Sequence, residues 1–243
     1  RRRIMFNDTW EEDYVEYIEK NPMTLCSGIS YFGKRNNSEH AGRMHALIFD
    51  LDGVTIKEMR NLIARTSQAP SKYGLSCPKP TYIVLSGTGV HIYYVFDKPI
   101  DLYPNIKLQL NDMKHYFTYG LWDYKSTSTK ENVQFQSIFQ GFRMVGSVNA
   151  KYGTDVIAFC TGDKVSLEYM NSYIHEENRR VDIRKPFAPT KYTKAEAMEK
   201  FPEWYQRRIV EGKKGNKKWD IAGKVHGSDL SGKVINLIKE VLM

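Results

Sequence analysis

The sequence has few cysteines and no long apolar segment, and both shortages narrow the class of protein. Its three cysteines, at positions 26, 77 and 160, are odd in number and far apart. That pattern argues against a disulfide-stabilised scaffold and against a CxxC-type zinc site, so we expect a reducing cytoplasmic environment and no zinc. No window approaches the ~20 apolar residues that a membrane-spanning helix requires, so the sequence predicts no membrane partner.

The composition otherwise predicts a self-sufficient globular domain with a basic surface. Of the 243 residues, 41% are hydrophobic and 26% are charged, which is ordinary for a soluble protein. Lysine and arginine (36) outnumber aspartate and glutamate (28), which gives a formal net charge of +8. This excess fits an acidic partner such as nucleic acid or nucleotides, although many soluble proteins are basic without one.

Hydrophobic periodicity predicts helices and strands that alternate irregularly, with at least one antiparallel pair, and so an α+β fold. The predicted helices are 10–20, 57–65 and 106–117, and the predicted strands are 44–52, 82–85, 90–96 and 156–159. The composition changes near residue 190, which predicts a main domain over 1–189 and a basic helical appendage over 190–243. Since the chain opens on Arg1 without an initiator methionine or a signal segment, we expect a piece of a longer protein.

The strand predicted at 44–52 ends on two carboxylates. Asp50 and Asp52 stand at i and i+2, so both side chains leave one face of the strand, with Cα atoms roughly 6.5–7 Å apart. Phe49 and Leu51 then point the other way, into a core. Paired carboxylates at a strand end predict a site for one or two Mg²⁺ or Mn²⁺ ions, which prefer carboxylate oxygens and share their ligand shell with phosphates.

The same residues support a second interpretation. Ile48-Phe-Asp-Leu-Asp-Gly-Val54 resembles the first motif of haloacid-dehalogenase-type phosphatases. That resemblance implies that Asp50 is a phosphoryl-accepting nucleophile and that Asp52 is an acid/base. Leu85-Ser86 resembles the second motif of the same family. Phosphatases of this type have parallel strands with helical crossovers, so a helix should follow Ser86.

A hairpin signal distinguishes the two interpretations. The tetrapeptide Ser-Gly-Thr-Gly at 86–89 joins the β-rich runs 82–85 and 90–96, which predicts a tight turn into a returning strand rather than a helix. On that strand His91 shares one face with Tyr93 and Val95. This arrangement argues against the phosphatase.

The predicted turn carries groups that bind anions. Gly87 and Gly89 let backbone amides approach a phosphate closely, and Ser86 and His91 add side-chain donors near the same point. A later segment, 140–151, supplies Arg and Lys side chains that bind phosphates, but basic residues beside glycine are common and this segment alone is weak evidence.

Taken in order, these elements resemble the archaeo-eukaryotic primase superfamily, in its primase-polymerase branch from plasmids, phages, mobile elements and some CRISPR-associated proteins. That family shows an acid-x-acid strand, an S-x-H strand and a later R-x-x-G-S/T-x-N-x-K segment. Here these are Asp50-Leu-Asp52, Ser86-Gly-Thr-Gly-Val-His91 and Arg143-Met-Val-Gly-Ser-Val-Asn-Ala-Lys151. The resemblance spans roughly 26–153.

The resemblance implies an RRM-like catalytic core with a mixed or antiparallel sheet. It also implies a DNA primase-polymerase that makes or extends primers on single-stranded DNA from NTPs or dNTPs, with two Mg²⁺ or Mn²⁺ ions. The family uses a third acid as a metal ligand; of Asp112, Asp123 and Glu131 we select Asp123 because it is best placed to start a strand. A helicase or CRISPR adaptation proteins are possible partners.

The implied residue roles follow the motifs. The catalytic set is Asp50, Asp52, Asp123 and His91, and the first three hold the metals. The nucleotide-binding set is Ser86, Gly87, Gly89, His91, Arg143 and Lys151. Lower-ranked contacts to nucleotide or template are Lys34, Arg35, Lys213 and Lys214. Two alternatives stay open: the phosphatase, and a non-catalytic replication module that binds single-stranded nucleic acid.

Overall fold

The structure, a computed structural model, describes most of the chain. The described residues are 8–21, 24–33, 35–70, 76–122, 127, 133, 135–187 and 193–206. The chain divides into two compact units, Arg1–Ala188 and Pro189–Met243. No helix within the described ranges has the length and apolar character needed to cross a bilayer.

The first unit contains helices and strands in mixed order. Its helices are α1 (Trp10–Lys20), α2 (Ile56–Thr66), α3 (Pro104–Leu121) and α4 (Leu167–Ser172). Its strands are β1 (Leu25–Cys26), β2 (Ile29–Tyr31), β3 (Ala41–Asp52), β4 (Tyr82–Leu85), β5 (Gly89–Asp101), β6 (Phe142–Arg143), β7 (Val148–Asn149), β8 (Thr154–Asp155) and β9 (Ile157–Cys160).

Five of the strands form the main sheet, in the order β2-β3-β5-β4-β9, and each neighbouring pair is antiparallel. Two small antiparallel pairs, β1–β6 and β7–β8, stand beside it. The α+β class is therefore confirmed. The predicted hairpin is confirmed too, because β4 pairs antiparallel with β5 and Leu85 lies opposite Val90.

One face of the sheet carries the main core. Alternate residues of β3 and β5 point to this face, where α3 packs on them with the spacing that the sequence predicted. The helix contributes Ile106, Leu110, Met113 and Phe117, all buried. The helix begins earlier than predicted because Pro104 occupies its first turn, where its missing N–H costs nothing.

The opposite face of the sheet is less covered. Ala46 and Ile48 of β3 pack there against Phe142, with Tyr93 and Val95 partly buried beside them. The residues that follow on this face are the two predicted metal carboxylates and His91. The alternation predicted for β3 and β5 is confirmed, and it places the polar residues on the face away from α3.

β5 is longer than predicted. It continues past Phe96 to Asp101 because β3 resumes pairing with it beyond an irregularity between Met44 and Ala46. The periodicity of 90–96 could not predict the end of β5, because the partner strand determines where pairing ends.

The second unit, in its described part, contains two short helices, α5 (Lys194–Lys200) and α6 (Pro202–Tyr205). Thr193 and Glu196 form a capping box at the start of α5, and Pro202 begins α6. The predicted basic contacts Lys213 and Lys214 lie outside the described residues.

Candidate functional site

Three parts of the chain meet in one cleft of about 190 Å³ at the end of β3. They are the last residues of β3, the turn between β4 and β5, and the stretch from β6 to the β7–β8 turn. The cleft is lined by Asp50, Asp52, Ser86, Thr88, Gly89, His91, Arg143, Asn149, Lys151 and Tyr152. Segments up to about 100 residues apart in sequence are thus brought together, and they include most of the residues that the motifs singled out.

The register between β3 and β5 sets the centre of the cleft. Asp50 lies opposite His91, and Asp52 lies opposite Gly89. The backbone N–H and C=O of Asp50 point away from β5, toward the side chain of Gln136. Asp50 and His91 are therefore a non-hydrogen-bonded pair, the kind in which side chains of neighbouring strands lie closest. The Nε2 atom of His91 is 3.7 Å from Oδ1 of Asp50.

Burial shifts the protonation of both side chains. It raises the pKa of the Asp50 carboxyl to about 6, and the neighbouring charge of Asp52 adds to this rise. Burial also lowers the pKa of the His91 imidazole to about 4, with the positive charge of Arg143 acting in the same direction. His91 is therefore neutral at pH 7 and acts as a hydrogen-bonding group rather than as a cation.

A buried lysine interacts with Asp50, and no sequence motif assigned it a role. Lys114 of α3 is 1% exposed; its Nζ donates to the Ser137 carbonyl at 3.0 Å and faces the rings of Phe49 and Phe142. Burial lowers its pKa to about 7, and the charge of Asp50 opposes that shift. A signal was present, because Lys114 follows Leu110 by four residues and so falls on the apolar side of the helix.

Side chains complete the edge of β3 that β5 does not cover. The Gln136 amide accepts from the Asp50 N–H and donates to its carbonyl, both at 3.2 Å, as a neighbouring strand would. The Thr127 hydroxyl donates to the Asp52 carbonyl. Neither residue was identified from sequence, since nothing local distinguishes them. Both hold the backbone that presents the two carboxylates.

We expect Gln136→Ala to destabilise the protein by about 1–2 kcal/mol, because it leaves the N–H and carbonyl of Asp50 without their partner. Denaturant unfolding of the variant measures this. Gln68→Ala, at an exposed position, is the matched control and should change stability by less than about 0.5 kcal/mol. Equal stability of the two variants would show that water replaces the Gln136 amide without cost.

The turn between β4 and β5 closes tightly. The Ser86 N–H donates to the Gly89 carbonyl at 3.1 Å, and Ser86 itself is buried. Glycine is required at position 89 because a Cβ there would lie 2.4 Å from the Leu51 carbonyl oxygen. Gly87 has a φ of +134°, which L-residues with side chains rarely adopt. The backbone therefore requires glycine at both positions, in addition to the predicted close approach of their amides to an anion.

The third wall of the cleft carries its cations. Arg143 lies on β6, and Lys151 lies in the turn between β7 and β8. The Nζ of Lys151 is 5.0 Å from the centre of the Tyr152 ring. Side-chain hydrogen bonds from Lys151 and Thr88 lower the pKa of the Tyr152 hydroxyl. Thr88, Asn149 and Tyr152 line the cleft without having been assigned a role from sequence.

Two further predicted residues, Arg35 and Asp112, are not among the residues that line this cleft. Arg35 is exposed, and Asp112, an alternative for the third acid, forms an ion pair with Arg179. The other predictions lie outside the described residues: Lys34, Asp123 and Glu131. Within the ranges that the structure describes, no group of three His, Cys, Asp or Glu side chains is placed to hold a metal ion.

Comparison with known proteins gives one structural similarity. No family model matches the sequence, and no curated protein matches it. The chain is similar to a solved structure described as the AEP domain of the cyanophage S-2L primase-polymerase (PrimPol), with 14% sequence identity and a TM-score of 0.43. The similarity covers 68% of this chain and 75% of that one.

Proposed function

We propose that the protein is a nucleotidyltransferase of the primase-polymerase type, which joins NTPs or dNTPs to a primer or a new strand on a single-stranded DNA template. One observation carries the proposal: a carboxylate pair and a set of phosphate-binding groups share one small cleft. Nucleotidyl transfer needs both at once, because divalent cations bridge carboxylates and the nucleotide phosphates.

The carboxylate pair fits Mg²⁺ or Mn²⁺. Asp50 and Asp52 leave one face of β3, and both line the cleft. Mg²⁺ is commonly held by one or two carboxylates together with substrate phosphates, so a pair is a sufficient protein contribution for one ion. The bound ions would lower the pKa of the attacking 3′-hydroxyl and offset charge on the triphosphate. A second ion would call for a further ligand, for which Asp123 stays our prediction.

The residues around the pair suit a polyphosphate. Arg143 presents a planar guanidinium that suits bidentate contact with phosphate oxygens, and Lys151 adds a point charge. A neutral imidazole such as that of His91 has one N–H to donate, and its Nδ1 is buried with no protein partner among the described atoms. Ser86 lies at the start of the turn that these groups face. The unassigned Thr88 and Tyr152 hydroxyls extend the set at its edge.

The phosphatase alternative is disfavoured by the strand that follows Ser86. A helical crossover was required there, and the chain instead returns as β5 in an antiparallel sheet. The non-catalytic module is the second candidate. Such a module needs no complete metal site, and the described part of the chain supplies no third carboxylate beside Asp50 and Asp52.

Nucleotide incorporation tests the proposal directly. We expect the protein, with Mn²⁺ or Mg²⁺, to incorporate nucleotides on single-stranded DNA, and Asp50→Ala/Asp52→Ala to be at least ~10³-fold slower. Asp97→Ala/Asp101→Ala changes two exposed carboxylates of β5 and serves as the control. Omitting the primer separates primer synthesis from extension.

Other outcomes would refute this function in distinct ways. DNA binding without any incorporation by the unmodified protein would favour the non-catalytic module. Release of phosphate from a phosphomonoester, lost in Asp50→Ala, would restore the phosphatase.

A further inference from the structure

Asn149 is the most buried polar side chain of the cleft wall, at 3% exposed, and both the oxygen and the nitrogen of its amide are hydrogen-bonded. Its Oδ1 accepts from the Lys151 N–H at 3.2 Å, and its Nδ2 donates to the Ser86 carbonyl at 2.5 Å. One side chain thus joins two turns that are 63 residues apart in sequence.

The first of these bonds organises the turn that carries Lys151. A side-chain oxygen that accepts from the N–H two residues later is an Asx turn, a common way for Asn to fix a reversal of the chain. The Asn149 carbonyl reinforces the reversal by accepting from the N–H groups of Tyr152 and Gly153, at 3.1 and 2.8 Å. The direction in which Lys151 leaves the backbone therefore depends on Asn149.

The second bond fixes the turn of β4 and β5 against the first. The contact is so close that a Cβ at Gly87 would lie 2.6 Å from Nδ2 of Asn149 and 3.0 Å from the Tyr152 ring. Glycine at position 87 is what lets the two turns approach. Asparagine suits this position because a short side chain must offer both an acceptor to one turn and a donor to the other.

We propose that Asn149 is a positioning residue that sets the spacing between the Ser86 turn and Lys151, so that both contact the same polyphosphate. This inference rests on the proposed function, because it assumes that the cleft binds nucleotide phosphates. It predicts that Asn149 acts through these two turns rather than through the stability of the domain.

Asn149→Ser is the informative variant. A serine hydroxyl still accepts from the N–H two residues later, so the Asx-like turn survives, but the side chain is too short to reach the Ser86 carbonyl. We expect binding of magnesium tripolyphosphate to weaken by about five- to tenfold, as loss of one aligning hydrogen bond implies. In nucleotide incorporation the KM for nucleotide should rise by a similar factor, while kcat changes by less than about twofold.

A double-mutant cycle separates positioning from a general structural effect. With Lys151→Ala as the second change, we expect Asn149→Ser to weaken tripolyphosphate binding by less than about twofold, since one of the two aligned groups is already gone. Additive losses, or binding by Asn149→Ser equal to that of the unmodified protein, would overturn the inference. Asn149→Thr, whose hydroxyl also keeps the acceptor and is too short to reach the Ser86 carbonyl, replaces Asn149→Ser should that variant fail to fold.

Failure of the proposed function gives a different result. If the unmodified protein binds no magnesium tripolyphosphate and Lys151→Ala changes nothing, the phosphate role of the cleft is wrong and the role of Asn149 falls with it. If the unmodified protein binds, Lys151→Ala weakens binding and Asn149→Ser does not, only the inference about Asn149 is wrong.

Discussion

Asp50→Asn is expected to make the metal-free protein more stable while abolishing its proposed activity. The folded structure raises the pKa of Asp50 from 3.8 to about 6, so folding disfavours the ionised carboxylate. Below the unfolded pKa both states are protonated and the position costs nothing. As the pH rises through about 6 the protein must carry a charge that folding opposes, at a cost on the order of 2–3 kcal/mol. Asparagine keeps the shape without that charge.

The gain in stability should therefore depend on pH. We expect Asp50→Asn to match the unmodified protein near pH 4 and to exceed it by about 2 kcal/mol at pH 8, measured by denaturant unfolding without divalent ions. Asp97→Asn, at an exposed position of β5, should show no such difference. Mn²⁺ should stabilise the unmodified protein and not Asp50→Asn. A variant that is less stable at pH 8 would show that the carboxylate is held favourably.

The loss of activity in the same variant should be at least ~10³-fold, about 4 kcal/mol of barrier. Asparagine retains one oxygen but not the negative charge that a divalent cation requires. A protein that becomes more stable and inactive by one substitution has a carboxylate retained for function. Activity within tenfold of the unmodified protein would remove Asp50 from the proposed metal site.

The second large effect is expected from Gly89→Ala. The new Cβ would lie 2.4 Å from the Leu51 carbonyl oxygen and 3.0 Å from the Cα of Asp52, both backbone atoms of β3. These atoms belong to the last residues of β3, which pair with the first residues of β5, so they cannot move aside without disturbing that pairing. We expect destabilisation by about 3 kcal/mol, at the upper end of what overpacking costs. Thermal or denaturant unfolding measures it.

Gly141→Ala is the matched control for this substitution. A Cβ there would meet the Leu25 side chain at 3.5 Å, an ordinary contact, so stability should change by less than about 0.5 kcal/mol. Because Gly89 lies opposite Asp52 in the sheet, the variant that still folds should also bind Mn²⁺ more weakly. A Gly89→Ala protein with unchanged stability would mean that β5 is not held against β3 at this point.

Local sequence predicted those parts of the fold in which hydrophobic residues recur with a short period. The alternation along 44–52 fixed which side of β3 would be buried, and the spacing of Ile106, Leu110, Met113 and Phe117 fixed the buried side of α3. The glycine-containing turn fixed the hairpin, because only a tight reversal accommodates that tetrapeptide between two β-rich runs. Each of these signals lies within about 15 residues, where the local geometry of the chain relates the positions.

The order of the motifs predicted those residues of the candidate site whose side-chain type indicates a function. It selected Asp50, Asp52, Ser86, Gly89, His91, Arg143 and Lys151, and these residues do line one cleft. It did not select Gln136 or Lys114, and it gave Asn149 no role although the third motif contains it, since an amide or a lysine has no assignable function until its partner is known. Asp123 stays a prediction, because it lies outside the described residues.

The sequence by itself determined which faces of β3 and α3 are buried and where the chain reverses between β4 and β5. It also determined the chemical types of the groups available to bind metal and phosphate. Only the tertiary structure decided the protonation of these groups and the hydrogen-bond partners that hold their backbone in place. Burial beside β5, and not residue type, makes His91 neutral and raises the pKa of Asp50. Contacts across 63 and 86 residues let Asn149 and Gln136 hold the backbone of the two main motifs. The physical reason is that desolvation and long-range hydrogen bonds depend on neighbours that folding brings together, and no local pattern names those neighbours.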